Sequence, residues 1–168
     1  MGMAVLSFLL LGLAVMDAET MRLPDAFTFP GIVLGILYNA LQPGTLRNHI
    51  WNAGESALSA LAAALLLLLI RWLYFLIRHH EGLGMGDVKL IAMIAAWLGP
   101  APTLLTLLLG TLATALFGIL VVALSPRNRP FHSTRVPFGS FLCAAAIYTI
   151  FAGEPIVRWY LHFYGIDY

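Results

Sequence analysis

The sequence predicts an all-α polytopic membrane protein of about six transmembrane helices, and three observations carry that prediction. Of its 168 residues, 61% are hydrophobic and 10% charged, with a mean hydropathy of +0.89. A water-facing globule of this size has about a quarter of its residues charged, so there is too little polar sequence here to coat one. Apolar runs recur along the whole chain. The positive charges between them fall almost entirely on one side.

The first run covers Met3–Asp17 and can continue helically to Arg22, with Pro24 as its stop. It has the apolar character of a signal-peptide core. However, it lacks a basic leader and ends in Asp17 rather than a small-residue cleavage site, so it is read as a retained helix. The second run is Ala26–Leu41, closed by the turn-rich Gln42-Pro43-Gly44, and the third is Ala57–Ile77, interrupted only by Arg71, which can snorkel. A short fourth run, Val88–Leu98, stops at Gly99-Pro100. Thr103–Leu124 is the fifth, ending at Ser125-Pro126, and Val136–Phe151 is the sixth. Trp159, Tyr160, Phe163 and Tyr164 in the tail suit an interfacial belt. Close helix contact is expected at Gly31 and Gly35, and along Ala57, Ala60 and Ala64. Without an internal repeat or low-complexity linker, residues 1–168 read as one membrane-embedded domain.

In this arrangement Arg22, Arg71, Arg78, Lys89, Arg127, Arg129 and Arg135 share one side, with Arg47 and Arg158 on the other. The positive-inside rule makes the first side cytoplasmic and puts both termini outside the cytoplasm. A net charge of +1 without a basic stripe gives no case for a nucleic-acid partner. The single cysteine, Cys143, excludes an intramolecular disulfide and a CxxC zinc site. His79 and His80 are adjacent and so do not share a helix face, and no metal site is expected.

Acidic residues at membrane depth are expensive and are candidates for function. Asp17 lies in the C-terminal part of its helix, where the macrodipole disfavours a carboxylate. An N-cap role is not available to it there. Its plain reading is a solvated acid that ends the span. Asp87 follows Gly82-Leu83-Gly84-Met85-Gly86, and its plain reading is an N-cap. Yet a helix of eleven to fourteen residues after it covers only about 20 Å of a ~30 Å hydrocarbon core. The glycine loop is then expected to line a wet cavity within the membrane. Two spans separate Asp17 from Asp87, so both lie on the same, cytoplasmic, face. Neighbouring carboxylates in reduced dielectric share a proton, a state suited to peptide hydrolysis. Asp25 reads as the N-cap of the second helix, and Glu19 and Glu81 as solvated charges. No GxSxG elbow is present.

Three segments carry a resemblance. Asp17 in Met16-Asp-Ala-Glu-Thr-Met-Arg-Leu-Pro-Asp25, continuing to Pro30, resembles the first catalytic motif of the type IV prepilin peptidases. Gly84-Met85-Gly86-Asp87-Val88-Lys89-Leu90 resembles their GxGD motif, and Val136-Pro137-Phe138-Gly139-Ser140-Phe141 the opening of their last helix. The resemblance covers nearly the whole chain, with the motifs in the expected order. It implies an aspartic endopeptidase that removes the leader from type IV prepilins or type II secretion pseudopilins at the cytoplasmic face of the bacterial inner membrane. Asp17 and Asp87 would be its catalytic pair and Gly84 and Gly86 would shape the supporting loop, with no metal or organic cofactor. Many members carry an N-terminal domain with paired CxxC motifs, linked to N-methylation of the pilin. This sequence has none, and methylation is not expected of it. The rival readings are a small proton-coupled transporter, a structural membrane subunit and a presenilin-like intramembrane protease. The last has a Tyr-Asp pair where this sequence has Met16-Asp17.

Overall fold

The computed structural model describes residues 2–21, 23–79, 84–124 and 137–163, with the backbone alone at 122 and 154–163. Arg22, His80, Glu81, Gly82, Leu83, Arg127, Arg129, Arg135, Val136 and Tyr164 lie outside the described residues, as do the side chains of Arg158, Trp159, Tyr160 and Phe163. Among the described residues the regular structure is six helices: α1 (Gly2–Thr20), α2 (Asp25–Ala40), α3 (Leu46–Arg78), α4 (Met85–Leu98), α5 (Pro100–Leu124) and α6 (Phe138–Phe163). Helices α1, α3 and α5 are long and apolar enough to cross a membrane, and Phe138–Gly153 of α6 is a shorter apolar stretch. Large apolar side chains such as Phe8, Leu58 and Leu116 stand exposed along these helices. On a soluble monomer such a surface would be an aggregation liability, whereas lipid is its natural solvent.

Helix α3 begins eleven residues before the expected Ala57. Its opening turns are polar, with Trp51 Nε1 donating to Glu55 Oε1 at 2.8 Å, so a search for apolar runs passes over them. On α3 the buried face is Ser56, Ala60 and Leu67, whereas Ala57 is exposed. Of the stripe expected at Ala57, Ala60 and Ala64, Ala60 is buried and Ala64 packs against the core, while Ser56 takes the place expected of Ala57.

The centre of the molecule is α4. From Val88 to Trp97 all but Lys89 are buried, and the helix packs against α2, α3, α5 and α6. Against α2 the approach is close because of glycine. A Cβ at Gly31 would collide with Met93 Sδ, and one at Gly35 would stand 2.6 Å from Trp97 Cδ1 and 3.1 Å from the Ala96 carbonyl carbon. Trp97 stacks on Tyr38 with ring centroids 5.2 Å apart and donates from Nε1 to Gly31 O at 2.8 Å.

The C-terminal end of a helix leaves carbonyls without intrahelical partners. In α4 the Ala96 carbonyl accepts from Asn39 Nδ2 at 2.8 Å and from Ser56 Oγ at 2.6 Å. Gly99, at φ +78°, then turns the chain out of the helix. Neighbouring helices therefore hold α4 at this end through its backbone.

This packing makes a prediction. Gly35→Leu overfills the α2–α4 contact and costs about 1–3 kcal/mol, read as a lower Tm of the purified protein in detergent. Gly118→Leu, where an added Cβ meets nothing within 4 Å, should leave the Tm unchanged.

Candidate active site

Asp17 lies in the last turn of α1 and is buried. Its carboxylate is taken up by a different helix. The backbone N–H of Ser140 donates to Asp17 Oδ2 at 2.7 Å, and Ser140 belongs to the first turn of α6. The Ser140 hydroxyl is 2.8 Å from Ala14 O and 3.2 Å from Asp17 Oδ2. With one proton it serves the nearer carbonyl better. The last turn of its own helix disfavours the Asp17 carboxylate by about 0.3–1 kcal/mol. A hydrogen bond to a charged group contributes about 1.5–3 kcal/mol, so the α6 contact prevails. On its own helix Asp17 caps nothing, as its place near the C-terminal end implies. Asp17 does satisfy a helix N-terminus, but one that is 123 residues away in sequence.

Asp87 is not an N-cap. Gly84 holds the cap position of α4, with φ −70° and ψ 143°, and Asp87 is the third helical residue. Its carboxylate accepts a hydrogen bond from the Gly84 backbone, the return half of a capping box. The two carboxyl groups, one at the start of α4 and one bound to the start of α6, are close enough to interact electrostatically. Cys143, one turn further along α6, is fully buried within electrostatic reach of both. Asp17, Asp87 and the first turns of α6 thus converge on one place.

The glycines here are explained by proximity rather than by backbone conformation. Gly84 and Gly86 are not among the positive-φ residues. A Cβ at Gly84 would stand 3.0 Å from Asp87 Oδ2, and one at Gly86 3.1 Å from Leu23 Cβ. Gly139 is the tightest of the three. A Cβ there would be 2.8 Å from Asp17 Oδ2 and 3.1 Å from Leu23 Cδ1. Leu23 therefore fills the space between the starts of α4 and α6. Leu23, Gly139 and Ser140 carry no local signal that marks them in the sequence. Gly139 and Ser140 belong to the third motif, but nothing in the sequence says that this motif meets Asp17.

Asp25 is also corrected. Pro24 holds the cap position of α2 and makes no side-chain cap bond, which leaves Asp25 as the first helical residue. Its carboxylate pairs with Lys89 Nζ at 2.6 Å, and the Lys89 ammonium lies 5.1 Å from the centroid of the Phe29 ring. Glu19 is exposed, as expected of a solvated charge.

The sequence profile of the type IV leader peptidase family matches residues 4–119, which include both Asp17 and Asp87. This chain belongs to the type IV leader peptidase family. Among curated proteins it resembles the prepilin leader peptidase/N-methyltransferase of Aeromonas salmonicida, with 35% identity over 157 residues, 94% of this chain and 51% of the relative. The proteins of the same name from Pseudomonas aeruginosa and Legionella pneumophila are 33% and 31% identical, over 97% and 94% of this chain and 53% and 52% of theirs. The chain spans about half the length of the curated leader peptidases it matches. No solved structure matches it.

The contact between α1 and α6 generates the second prediction. Ser140→Ala keeps the backbone donor and removes one side-chain hydrogen bond, so it should cost about 1 kcal/mol in thermal unfolding. Gly139→Val drives a side chain into the Asp17 carboxylate and should cost about 1–3 kcal/mol, more than the alanine variant in the same assay.

Proposed function

We propose that this leader peptidase relative is an aspartic endopeptidase that cuts the leader from type IV prepilins or type II secretion pseudopilins, with Asp17 and Asp87 as its catalytic pair. The observation that carries this reading is the convergence of two carboxyl groups from separate helices, each held by a backbone N–H at the first turn of a helix. Such a pair can divide the work of hydrolysis. One carboxylate accepts a proton from water as the oxygen attacks the scissile carbonyl carbon, while the protonated partner donates to the carbonyl oxygen. Collapse of the tetrahedral intermediate returns a proton to the departing amine nitrogen. Hydrogen bonds from Gly84 and Ser140 hold the two groups without occupying every acceptor site on either carboxylate.

Cleavage at the cytoplasmic face of the bacterial inner membrane, in a single domain spanning 1–168, completes the reading. Its support is the charge distribution. Arg78 ends α3 and Lys89 lies in the first turns of α4, both near Asp87 in chain order, while Arg47 lies at the opposite end of α3. A helix of 33 residues is about 50 Å long, more than the ~30 Å hydrocarbon core, so its two ends can stand on opposite sides.

The test uses purified protein and a prepilin carrying its leader, with the product terminus sequenced. Asp17→Asn and Asp87→Asn should each lower cleavage by about 10³-fold or more while the protein stays folded and membrane-inserted. Near-normal turnover by either variant would refute the assignment. In whole cells, a cysteine replacing Arg78 should react only with reagents reaching the cytoplasm and one replacing Arg47 only with external reagents; the reverse would refute the facing.

A further inference from the structure

The Leu23–Asp25 segment follows Asp17 in the chain and touches both of the other pieces of the site. Leu23 packs against Gly86 and Gly139, and two residues on, Asp25 binds Lys89 at 2.6 Å. Lys89 is two residues beyond Asp87, and positions two apart on a helix point to nearly opposite sides. The first turns of α4 are therefore held on two sides: Asp87 lies within electrostatic reach of Asp17, and Lys89 reaches α2 through Asp25 and the Phe29 ring. The covalent path from Asp17 to Asp25, the ion pair, and the α4 turn from Lys89 back to Asp87 connect the two aspartates. Only the ion pair in that path is non-covalent.

We propose that Asp25 and Lys89 are positioning residues whose ion pair sets where Asp87 stands relative to Asp17, an inference that rests on reading those two as the catalytic pair. The pair is poorly placed to serve stability. The Lys89 side chain is 26% exposed and that of Asp25 58%, and exposed ion pairs contribute little to folding. Its loss is therefore expected in the geometry of the site rather than in the amount of folded protein.

The experiment has one readout that needs no catalysis and one that does. In a Cys143→Ala background, Asp17→Cys and Asp87→Cys are joined by a short bifunctional thiol reagent, and the yield is measured with the ion pair intact, with Lys89→Met, and with the swap Asp25→Lys/Lys89→Asp. Cross-linking should be efficient with the pair intact, fall about tenfold with Lys89→Met, and recover in the swap. In chains that retain both aspartates, Asp25→Asn and Lys89→Met should each lower kcat on a prepilin substrate about tenfold with KM little changed. The double variant should be no worse than either single, and the swap should recover most of the loss. Unchanged cross-linking in Lys89→Met, or losses in kcat that multiply, would overturn the proposal. If Asp17→Asn and Asp87→Asn cleave normally, the catalytic reading fails by itself, and the cross-linking yields still decide whether the pair positions these segments.

Discussion

Asp17 stands in the last turn of α1 and is bound at the first turn of α6, and the rest of the site depends on that contact. A carboxylate buried in an apolar bundle is costly without hydrogen bonds, and its own helix offers only the unfavourable end of its dipole. The Ser140 N–H at 2.7 Å supplies what α1 does not. It does so only because residue 139 is glycine: a Cβ there would occupy the space of the carboxylate. The contact ties the first helix to the last, and α1 packs along α6.

The second constraint is α4. It is 14 residues long, about 21 Å at the usual rise, and its neighbours cover it on most sides. Its C-terminal carbonyl is held by Asn39 and Ser56, and its close fit to α2 depends on Gly31 and Gly35. A helix anchored in this way can present Asp87 from its first turn at a defined place. Both acids thus share a device, a carboxylate held by a backbone N–H at a helix start, reached by different routes. Asp87 belongs to the helix it bonds, and Asp17 is brought to another helix by tertiary packing.

That difference explains what was legible in the sequence. The helix order followed from apolar runs and breakers, because those signals are local. Asp87 stood out through its glycines and the shortness of the helix behind it. Asp17 stood out as an acid where neither composition nor capping explained one. Ser140 and Gly139 could not be linked to it, since nothing local connects residues 123 positions apart. Asp25 was misread because an acid at a helix start satisfies the capping pattern whether or not it caps. Its partner Lys89 lies 64 residues away. The start of α3 was missed because a polar helical turn leaves no mark on an apolar-run search.

The central claim is that Asp17 and Asp87 work as one unit. The most direct measurement is the residual single-turnover cleavage rate of the double variant Asp17→Asn/Asp87→Asn beside those of the two single variants. Residues that act together lose nearly everything when either is removed. The account predicts a double variant no slower than the slower single variant. A double variant slower by the product of the two separate losses would show that the carboxyl groups act independently, and would contradict it.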